Sequence, residues 1–457
     1  MKAENRITRR QMLGWCTMAG MTGVMAACTP AGSPAVPTQA AQPTAAPEAT
    51  VAQAQPTAAP APAEPVKLRA LLEEGGEGLD LHKNAIKAFT DANPGIEVEV
   101  TATTESYYTK LQTEAAAGAM ADMVQIGEAY TPHWAKTKVV ADLEPYIEAE
   151  ANFARDDFFP NVLDPFQWEG RQHALPKDYV TWCLFYNKDL FDAAGVPYPD
   201  DSWTWDPETG GKYLEVARAL TVTEGTRTTQ YGMVLSTHWG YYFPRIWDNG
   251  GRYLNAERTQ CLLASPEAIQ AVQWMSDLVN KYSVAPTSEG EEAGFGFGSG
   301  KVAMMAQGSY MIPGLLDAEF DWGVSHHPSG PKGRHSIMFS GAYALASTSK
   351  HPEEAWKMIV FMTREGSEIL AQAGWSVPAR QSIAAKPGFL NERTIPHNAQ
   401  LFLDAAAYMG MQELTETWIQ EEQIIAEQIT LIMAGERTAE EGLKAAAPKI
   451  DDLLKSG

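Results

Sequence analysis

The sequence predicts an α/β protein built as two lobes. Three observations point there. At 457 residues the chain exceeds what one hydrophobic core organises, since single cores stop growing near roughly 250–300 residues. Its composition, 45% hydrophobic and 20% charged, is that of a globular protein. From Val66 onward strand-like and helix-like segments alternate, which is the pattern of a layered α/β lobe with a mainly parallel sheet.

The elements follow in order. Val66–Leu72 is a short apolar run with β character, and Glu73-Glu74-Gly75-Gly76-Glu77-Gly78 makes the turn after it. Residues 79–93 carry Leu81, Ala85, Ile86 and Phe89 at helical spacing and stop at Asn93-Pro94-Gly95. Residues 96–101 alternate as a second strand, 107–118 form a helix ended on glycine, and 122–126 form a third, buried strand. A second block starts near Asp178 with a strand at 180–187 and a short helix, Lys188–Ala194, closed by Gly195. Helices then dominate: 211–220, 266–282, Pro352–Met362 and a long run from about 401 to 454.

The N-terminus reads as an address. In residues 1–28, Lys2, Arg6, Arg9 and Arg10 precede an uncharged run with Gly14, Gly20 and Gly23. That run is too short and too weakly apolar for a stable membrane span. Residues 8–13 resemble a twin-arginine export signal, and Met25-Ala26-Ala27-Cys28 resembles a bacterial lipobox, in which Cys28 takes the lipid. Residues 29–65 are nearly all Ala, Pro, Thr, Gln and Ser; they cannot bury apolar area and read as a disordered tether. The expected location is outside the cytoplasm, lipid-anchored at the outer face of the cytoplasmic membrane. Where an outer membrane exists, that is the periplasmic side.

The net charge of −22 repels phosphate backbones, so nucleic acid is not an expected partner. Cys16 lies in the segment expected to be removed. Cys183 and Cys261 remain, either paired in an oxidising compartment or buried as free thiols. The run 294–301 mimics a phosphate loop but has Phe295 where glycine belongs and Val302 where a magnesium-binding hydroxyl belongs. His326, His327 and His335 lack metal spacing, so no metal and no cofactor is expected. The adjacent acids Asp156-Asp157 and Glu421-Glu422 point apart and are expected to cover solvated faces.

In open α/β sheets ligands sit beyond the carboxyl ends of strands, which directs attention to Glu73-Glu74 and to residues 127–130. The stretch 178–221 carries Leu184-Phe185-Tyr186-Asn187-Lys188-Asp189-Leu190-Phe191, then Ala194-Gly195-Val196-Pro197 and a tryptophan, Trp203 or Trp205. Asn249-Gly250-Gly251, Ser265-Pro266-Glu267-Ala268, Gly300-Lys301-Val302-Ala303-Met304 and Gly308-Ser309-Tyr310 follow. His351-Pro352-Glu353-Glu354-Ala355-Trp356 and Val377-Pro378-Ala379-Arg380 close the set. In this order these words resemble the bacterial extracellular solute-binding proteins, family 1, over essentially the whole chain from Val66.

The resemblance implies a two-lobed periplasmic-binding-protein fold with hinge crossovers and a ligand cleft between the lobes, closing as a clamp. It places one lobe at 66–178 and about 325–374 and the other at 179–324 and about 375–457, with crossovers near 178–181 and 322–327. It implies a monomer without catalysis that captures a neutral mono- or oligosaccharide and delivers it to the permease subunits of an ABC importer.

It also suggests the contacts. Glu73 and Glu74 either bond ligand hydroxyls or form a solvated turn. Glu128 and Tyr130 follow the third strand in the same way. Asp178 marks the crossover, addressing ligand or capping a turn. His238 and Trp239 supply contacts from the second lobe or join Tyr241 and Tyr242 in a surface cluster. Tyr310 stands where the family commonly stacks a tryptophan on the sugar. Ser340 and Gly341 offer backbone N–H groups, and Trp375 is a second platform. Aromatic faces beside carboxylates also suit a secreted carbohydrate-active enzyme, or a polyamine or other non-sugar solute in the same fold. Presentation of ligand to a sensor instead of a permease is a further alternative.

Overall fold

The computed structural model describes residues 64–292, 294–373, 376–386 and 400–456. Cys28, the export signal, most of the tether and Trp375 lie outside the described residues.

Strand β1 (Val66–Leu72) buries Leu68, Ala70, Leu71 and Leu72. Helix α1 (Gly76–Ala92) turns a buried stripe of His82, Ala85, Ile86 and Phe89 inward, the i, i+3, i+4, i+7 spacing of an amphipathic helix. Strand β2 (Ile96–Ala102), helix α2 (Tyr107–Ala116) and strand β3 (Met123–Gly127) follow. Then come β4 (Ala174–Pro176) and the ten-residue β5 (Asp178–Asn187). Helix α3 (Lys188–Ala194) starts where Asn187 Oδ1 accepts the Leu190 N–H at 3.1 Å, and it ends on Gly195 at φ 65°. Helices α4 (Gly211–Ala219), α5 (Trp239–Asp248) and α6 (Pro266–Asn280) lead to β6 (Met304–Gly308), β7 (Trp322–Ser325), β8 (Ser336–Phe339) and β9 (Gly341–Leu345). Helix α7 (Pro352–Met362), β10 (Val377–Pro378), β11 (Met409–Gly410), α8 (Trp418–Met433) and α9 (Ala439–Ser456) complete the chain.

Two sheets organise these elements. The first runs β2-β1-β3-β9-β4 and is backed by α1 and α7. It is mixed, where a mainly parallel sheet was expected. β1, β2 and β3 are parallel through helical crossovers, but β9 pairs antiparallel with both β3 and β4. β9 arrives directly from the other sheet with no crossover helix to reverse it. The second sheet is built on β5, which pairs antiparallel with β6, β7, β8 and β10, while β11 extends from β8. Helices α5, α6, α8 and α9 pack together on it.

The chain changes sheet at Lys177, between β4 and β5, and returns at Ser340, between β8 and β9. The return differs from the passage expected near 322–327. β7 still pairs with β5, Ser325 opposite Leu184, and the chain leaves this sheet only after Phe339 opposes Val180. The two passages are laced together: Lys177 N–H donates to Gly341 O at 2.9 Å, and Ser340 Oγ donates to Asp178 O at 2.6 Å.

The continuous helical run expected to 454 is interrupted. Gly435 at φ 75° ends α8, and Thr438 and Glu441 cap α9 reciprocally, since each side chain accepts the other's backbone N–H. Cys183 and Cys261 are buried free thiols, and burial pushes the Cys261 thiol up to about 12. Among the described residues no helix is long and apolar enough to cross a membrane.

Candidate functional site

A cleft of about 1000 Å³ opens where the two sheets meet. All ten described candidates line it: Glu73, Glu74, Glu128, Tyr130, Asp178, His238, Trp239, Tyr310, Ser340 and Gly341. They arrive from six separate stretches of chain, so folding has gathered residues up to 268 positions apart, as the span from Glu73 to Gly341 shows.

The first-sheet wall begins at the carboxyl end of β1. Glu73 N–H donates to Gln125 Oε1 at 2.5 Å, and Gln125 Nε2 donates to Glu74 Oε1 at 3.2 Å. Gln125 is 3% exposed, so one buried amide fixes the turn that carries both acids. Beneath it His82 holds Gly78 O at 2.8 Å through Nδ1, which must therefore carry the proton. Its Nε2 then accepts from Tyr343 Oη at 3.0 Å. Burial lowers the His82 pKa and keeps that imidazole neutral.

Tyr130 stands on a prepared base. Its ring stacks on Tyr108 with centroids 3.7 Å apart and planes 9° apart, and it meets the edge of Trp134 at 6.2 Å. The Tyr108 hydroxyl is itself held, accepting Gly127 N–H at 3.0 Å. A platform fixed in this way loses little rotamer entropy when something stacks on it.

At the passage between sheets Lys177 lies within 2.7 Å of Asp178 and 3.6 Å of Glu74. Burial alone would lower the ammonium pKa, but Asp178 and Glu74 outweigh it and raise it. The lysine therefore balances carboxylates that the sequence presented as free. Gly341 must be small here, because a Cβ would meet Lys177 Cε at 2.8 Å.

The opposite wall is aromatic. Trp239 lies 4.6 Å from Phe339 and edge-on to Trp418 at 5.7 Å. His238 stacks on Trp239 at 5.1 Å and also caps α5, its Nδ1 accepting Gly240 N–H at 3.0 Å. Burial lowers the His238 pKa. Tyr310 projects into the cleft with its hydroxyl on Gln307 Oε1. Gly308 makes room for that ring, since a Cβ would lie 2.2 Å from it.

Helix α8 adds what sequence reasoning missed. Trp418, Ile419, Glu422 and Gln423 line the cleft at the i, i+1, i+4, i+5 spacing of one helix face. The expectation that Glu421-Glu422 covers a solvated face is corrected. Glu421 is 0% exposed and accepts hydrogen bonds from Tyr253, Thr415 and Thr417, anchoring the start of α8, while Glu422 faces the cleft. Neighbouring helix residues point about 100° apart, so one can anchor while the next faces ligand.

Among the described residues Glu128 is the most perturbed acid. It is 4% exposed, burial pushes its carboxyl up to about 7, and Ser340 N–H at 3.0 Å only partly offsets that. A raised folded pKa means that the folded state holds a proton which the unfolded state has released between about pH 4.5 and 7. Stability from this group therefore falls as pH rises through that window. Glu128→Gln keeps an acceptor for Ser340 and removes the titration. Urea midpoints of the variant should decline less than wild type between pH 5 and 7; an identical decline in both would show that Glu128 does not titrate there.

Comparison with known proteins adds lineage to geometry. The family model described as "bacterial extracellular solute-binding protein" matches residues 74–369. A candidate binding protein of Brucella abortus (strain 2308) is 25% identical over 380 residues, covering 81% of this chain and 88% of its own. The maltotriose-binding protein of Pyrococcus abyssi is 22% identical over 262 residues, covering 55% of this chain and 54% of its own. Among solved structures, an ABC substrate-binding protein from Listeria monocytogenes in complex with cycloalternan aligns with a TM-score of 0.77. It is 25% identical, and the alignment covers 86% of this chain and 99% of that one.

Proposed function

The chain belongs to the bacterial extracellular solute-binding proteins, and from that premise we propose that its cleft captures a neutral mono- or oligosaccharide by lobe closure. The observation that carries this reading is the cleft's lining. Stacking faces (Tyr130, Trp239, Tyr310) stand opposite and beside fixed hydrogen-bonding groups (Glu73, Glu74, Asp178) in one space. Sugars present apolar ring faces and rims of hydroxyls, and such a lining answers both. The similarity to a maltotriose-binding protein and to a cycloalternan-bound structure supports it.

Of the five described acids that line the cleft, three are engaged before ligand arrives, which counts against a polyamine. Lys177 already engages Glu74 and Asp178, and Glu128 is occupied by Ser340 N–H, so these acids are committed before ligand arrives. On this reading the chain is not an enzyme. It is held at the outer face of the cytoplasmic membrane by lipid on Cys28 and delivers sugar to the permease of an ABC importer. Cys28→Ala should move the expressed protein from the membrane fraction to the soluble fraction; unchanged sedimentation would remove the anchor from the reading.

The cleft is tested by thermal shift of the chain from Val66 onward against neutral sugars, oligosaccharides, polyamines and sugar acids. A ligand at 100 times its Kd should stabilise by about 2.7 kcal/mol. Selective stabilisation by a glycan that is recovered intact supports capture without catalysis. Cleaved glycan would favour an enzyme, and a response to polyamine alone would keep the clamp and change the solute.

A further inference from the structure

The charge lining the main cleft is one-sided. Among the described residues five carboxylates line it, Glu73, Glu74, Glu128, Asp178 and Glu422, against one ammonium, Lys177. Lys177 serves Glu74 and Asp178 together. Among the described residues the other three acids have no cation within ion-pair distance. They come from both walls. Glu73 and Glu128 follow β1 and β3, and Glu422 belongs to α8, on which the turn Glu128–Tyr130 packs. Their fields meet at Tyr130, whose hydroxyl pKa is raised by burial and then by Glu73, Glu422 and Glu128.

The groups around the three acids do not neutralise them. Ser340 gives Glu128 only a backbone N–H. Burial raises the Glu73 pKa, and the Tyr108 hydroxyl on α2 offsets only part of that. On α5, Tyr242 lies near Glu422 and burial keeps its hydroxyl un-ionised. His133, Lys136 and Asp164, behind the turn, are exposed and line no part of the cleft, and Lys136 is paired with Glu416 at 2.5 Å.

Closure on a neutral sugar sharpens the imbalance, because the ligand brings no counter-charge. Its hydroxyls replace water as hydrogen-bond donors, an exchange close to even. Loss of bulk water and the approach of like charges from the two walls then both disfavour ionised carboxylates. Burial already raises the pKa of all three, that of Glu128 up to about 7. Among the described residues these acids do not converge as a metal-binding group, which leaves the proton as the counter-charge.

We infer that capture is proton-coupled: the closing cleft takes up a proton from solvent onto the cluster of Glu73, Glu128 and Glu422, so acidic surroundings tighten binding and alkaline ones loosen it. The inference rests on the proposal that the cleft captures a neutral sugar by closure, and it adds pH as a regulator of that site. Linkage sets the direction. A carboxyl whose pKa is higher with ligand than without gains protons on capture, and each unit of that rise is tenfold in affinity between the protonated and ionised limits. His238, which also lines the cleft, works the opposite way: burial lowers its pKa, and covering it further would release protons. Uptake therefore points to the acids.

The test is calorimetric titration of the full chain with maltotriose, raffinose, D-glucose and D-galactose in turn. Each is run at pH 7 in phosphate, HEPES and Tris, whose ionisation enthalpies differ, and again at pH 5.5 and 8.5. For a sugar that binds, the heat should vary with buffer enthalpy at a slope of about 0.3 or more protons taken up, and Kd should be about threefold or more weaker at pH 8.5 than at pH 5.5. Glu128→Gln should cut the uptake at pH 7 by about half or more, whatever it does to affinity. Binding with no uptake, or with release, overturns the coupling and leaves sugar capture standing. Uptake unchanged in both Glu128→Gln and Glu422→Gln overturns it as well. No binding heat from any of the four sugars under any of these conditions overturns both readings.

Discussion

Asp248→Ala should lower the unfolding free energy by about 3–5 kcal/mol, the largest stability effect expected of any single ion-pair deletion among the described residues. The side chain is 0% exposed at the end of α5. Its Oδ2 accepts from Arg245 at 2.8 Å and from Trp205 Nε1 at 3.0 Å. Its Oδ1 accepts His335 N–H at 2.7 Å, and His335 Nδ1 lies 3.0 Å away. Removing it strands Arg245, 1% exposed, with His327 Nδ1 at 2.9 Å and the rings of Tyr241 and Trp205, at 5.4 and 6.0 Å, beside it. None of these neutralises a guanidinium, and His327, its pKa lowered by burial and then by Arg245, is held neutral and accepts. Arginine does not escape by losing its proton, so the whole cost falls on folding.

The control is Asp201→Ala. Asp201 also bonds an arginine, Arg334 at 3.0 Å, but its side chain is 73% exposed, and the change should cost no more than about 1 kcal/mol. Urea unfolding of the two variants beside wild type measures both. Equal costs would mean that burial does not set the value of these pairs. Asp248 lines no part of the main cleft, so sugar affinity of the folded fraction should survive its loss.

That network was not legible in the sequence, and the reason is physical. Arg245 and Asp248 are three apart on a helix and can be paired on paper. Trp205, His327 and His335 come from loops whose meeting place depends on the whole second sheet. What was legible followed local rules. The strand–turn–helix order from Val66, the helix Lys188–Ala194 and its stop at Gly195 rest on neighbours in sequence, and the structure has them.

The cleft shows the same division. Candidates after strands, such as Glu73, Glu128 and Tyr130, were found because strand ends point at clefts in open α/β sheets. Tyr108 was missed because it begins a helix, and only the fold sets its ring under Tyr130. Lys177 was missed although it precedes Asp178, since nothing local shows Glu74 approaching from a turn a hundred residues earlier. Trp418 and Glu422 were missed because periodicity reports that a helix has a face but not that another lobe's turn packs on it. Here the turn Glu128–Tyr130 meets α8.

Tyr130→Ala should weaken binding of whichever sugar stabilises the wild-type chain by about 30-fold or more, roughly 2 kcal/mol, the loss typical of a central aromatic anchor. The expectation rests on how Tyr130 is held. Tyr108 lies flat against one of its faces at 3.7 Å and the edge of Trp134 contacts it at 6.2 Å, so the ring is fixed before ligand arrives. Ordering costs for that contact are already met in the free protein, and most of the stacking energy therefore appears as affinity.

The cost to folding should be smaller, about 0.5–1.5 kcal/mol for the aromatic pair, because Tyr130 is only half-buried. Tyr130→Phe keeps the face and loses the hydroxyl, and it separates the two contributions. If stacking dominates, Phe binds within a few-fold of wild type while Ala does not; if the hydroxyl dominates, Phe and Ala are weakened alike. Calorimetric titration of the three proteins with one sugar decides between these outcomes. Full affinity in the alanine variant would move the ligand off this wall altogether, toward Trp239 and Trp418 on the opposite side, where the only acid facing it is Glu422 among the described residues. A sugar confined there would contact the second sheet's helices alone, and its binding could not draw the two walls together. The Tyr130 result therefore bears on closure as well as on affinity.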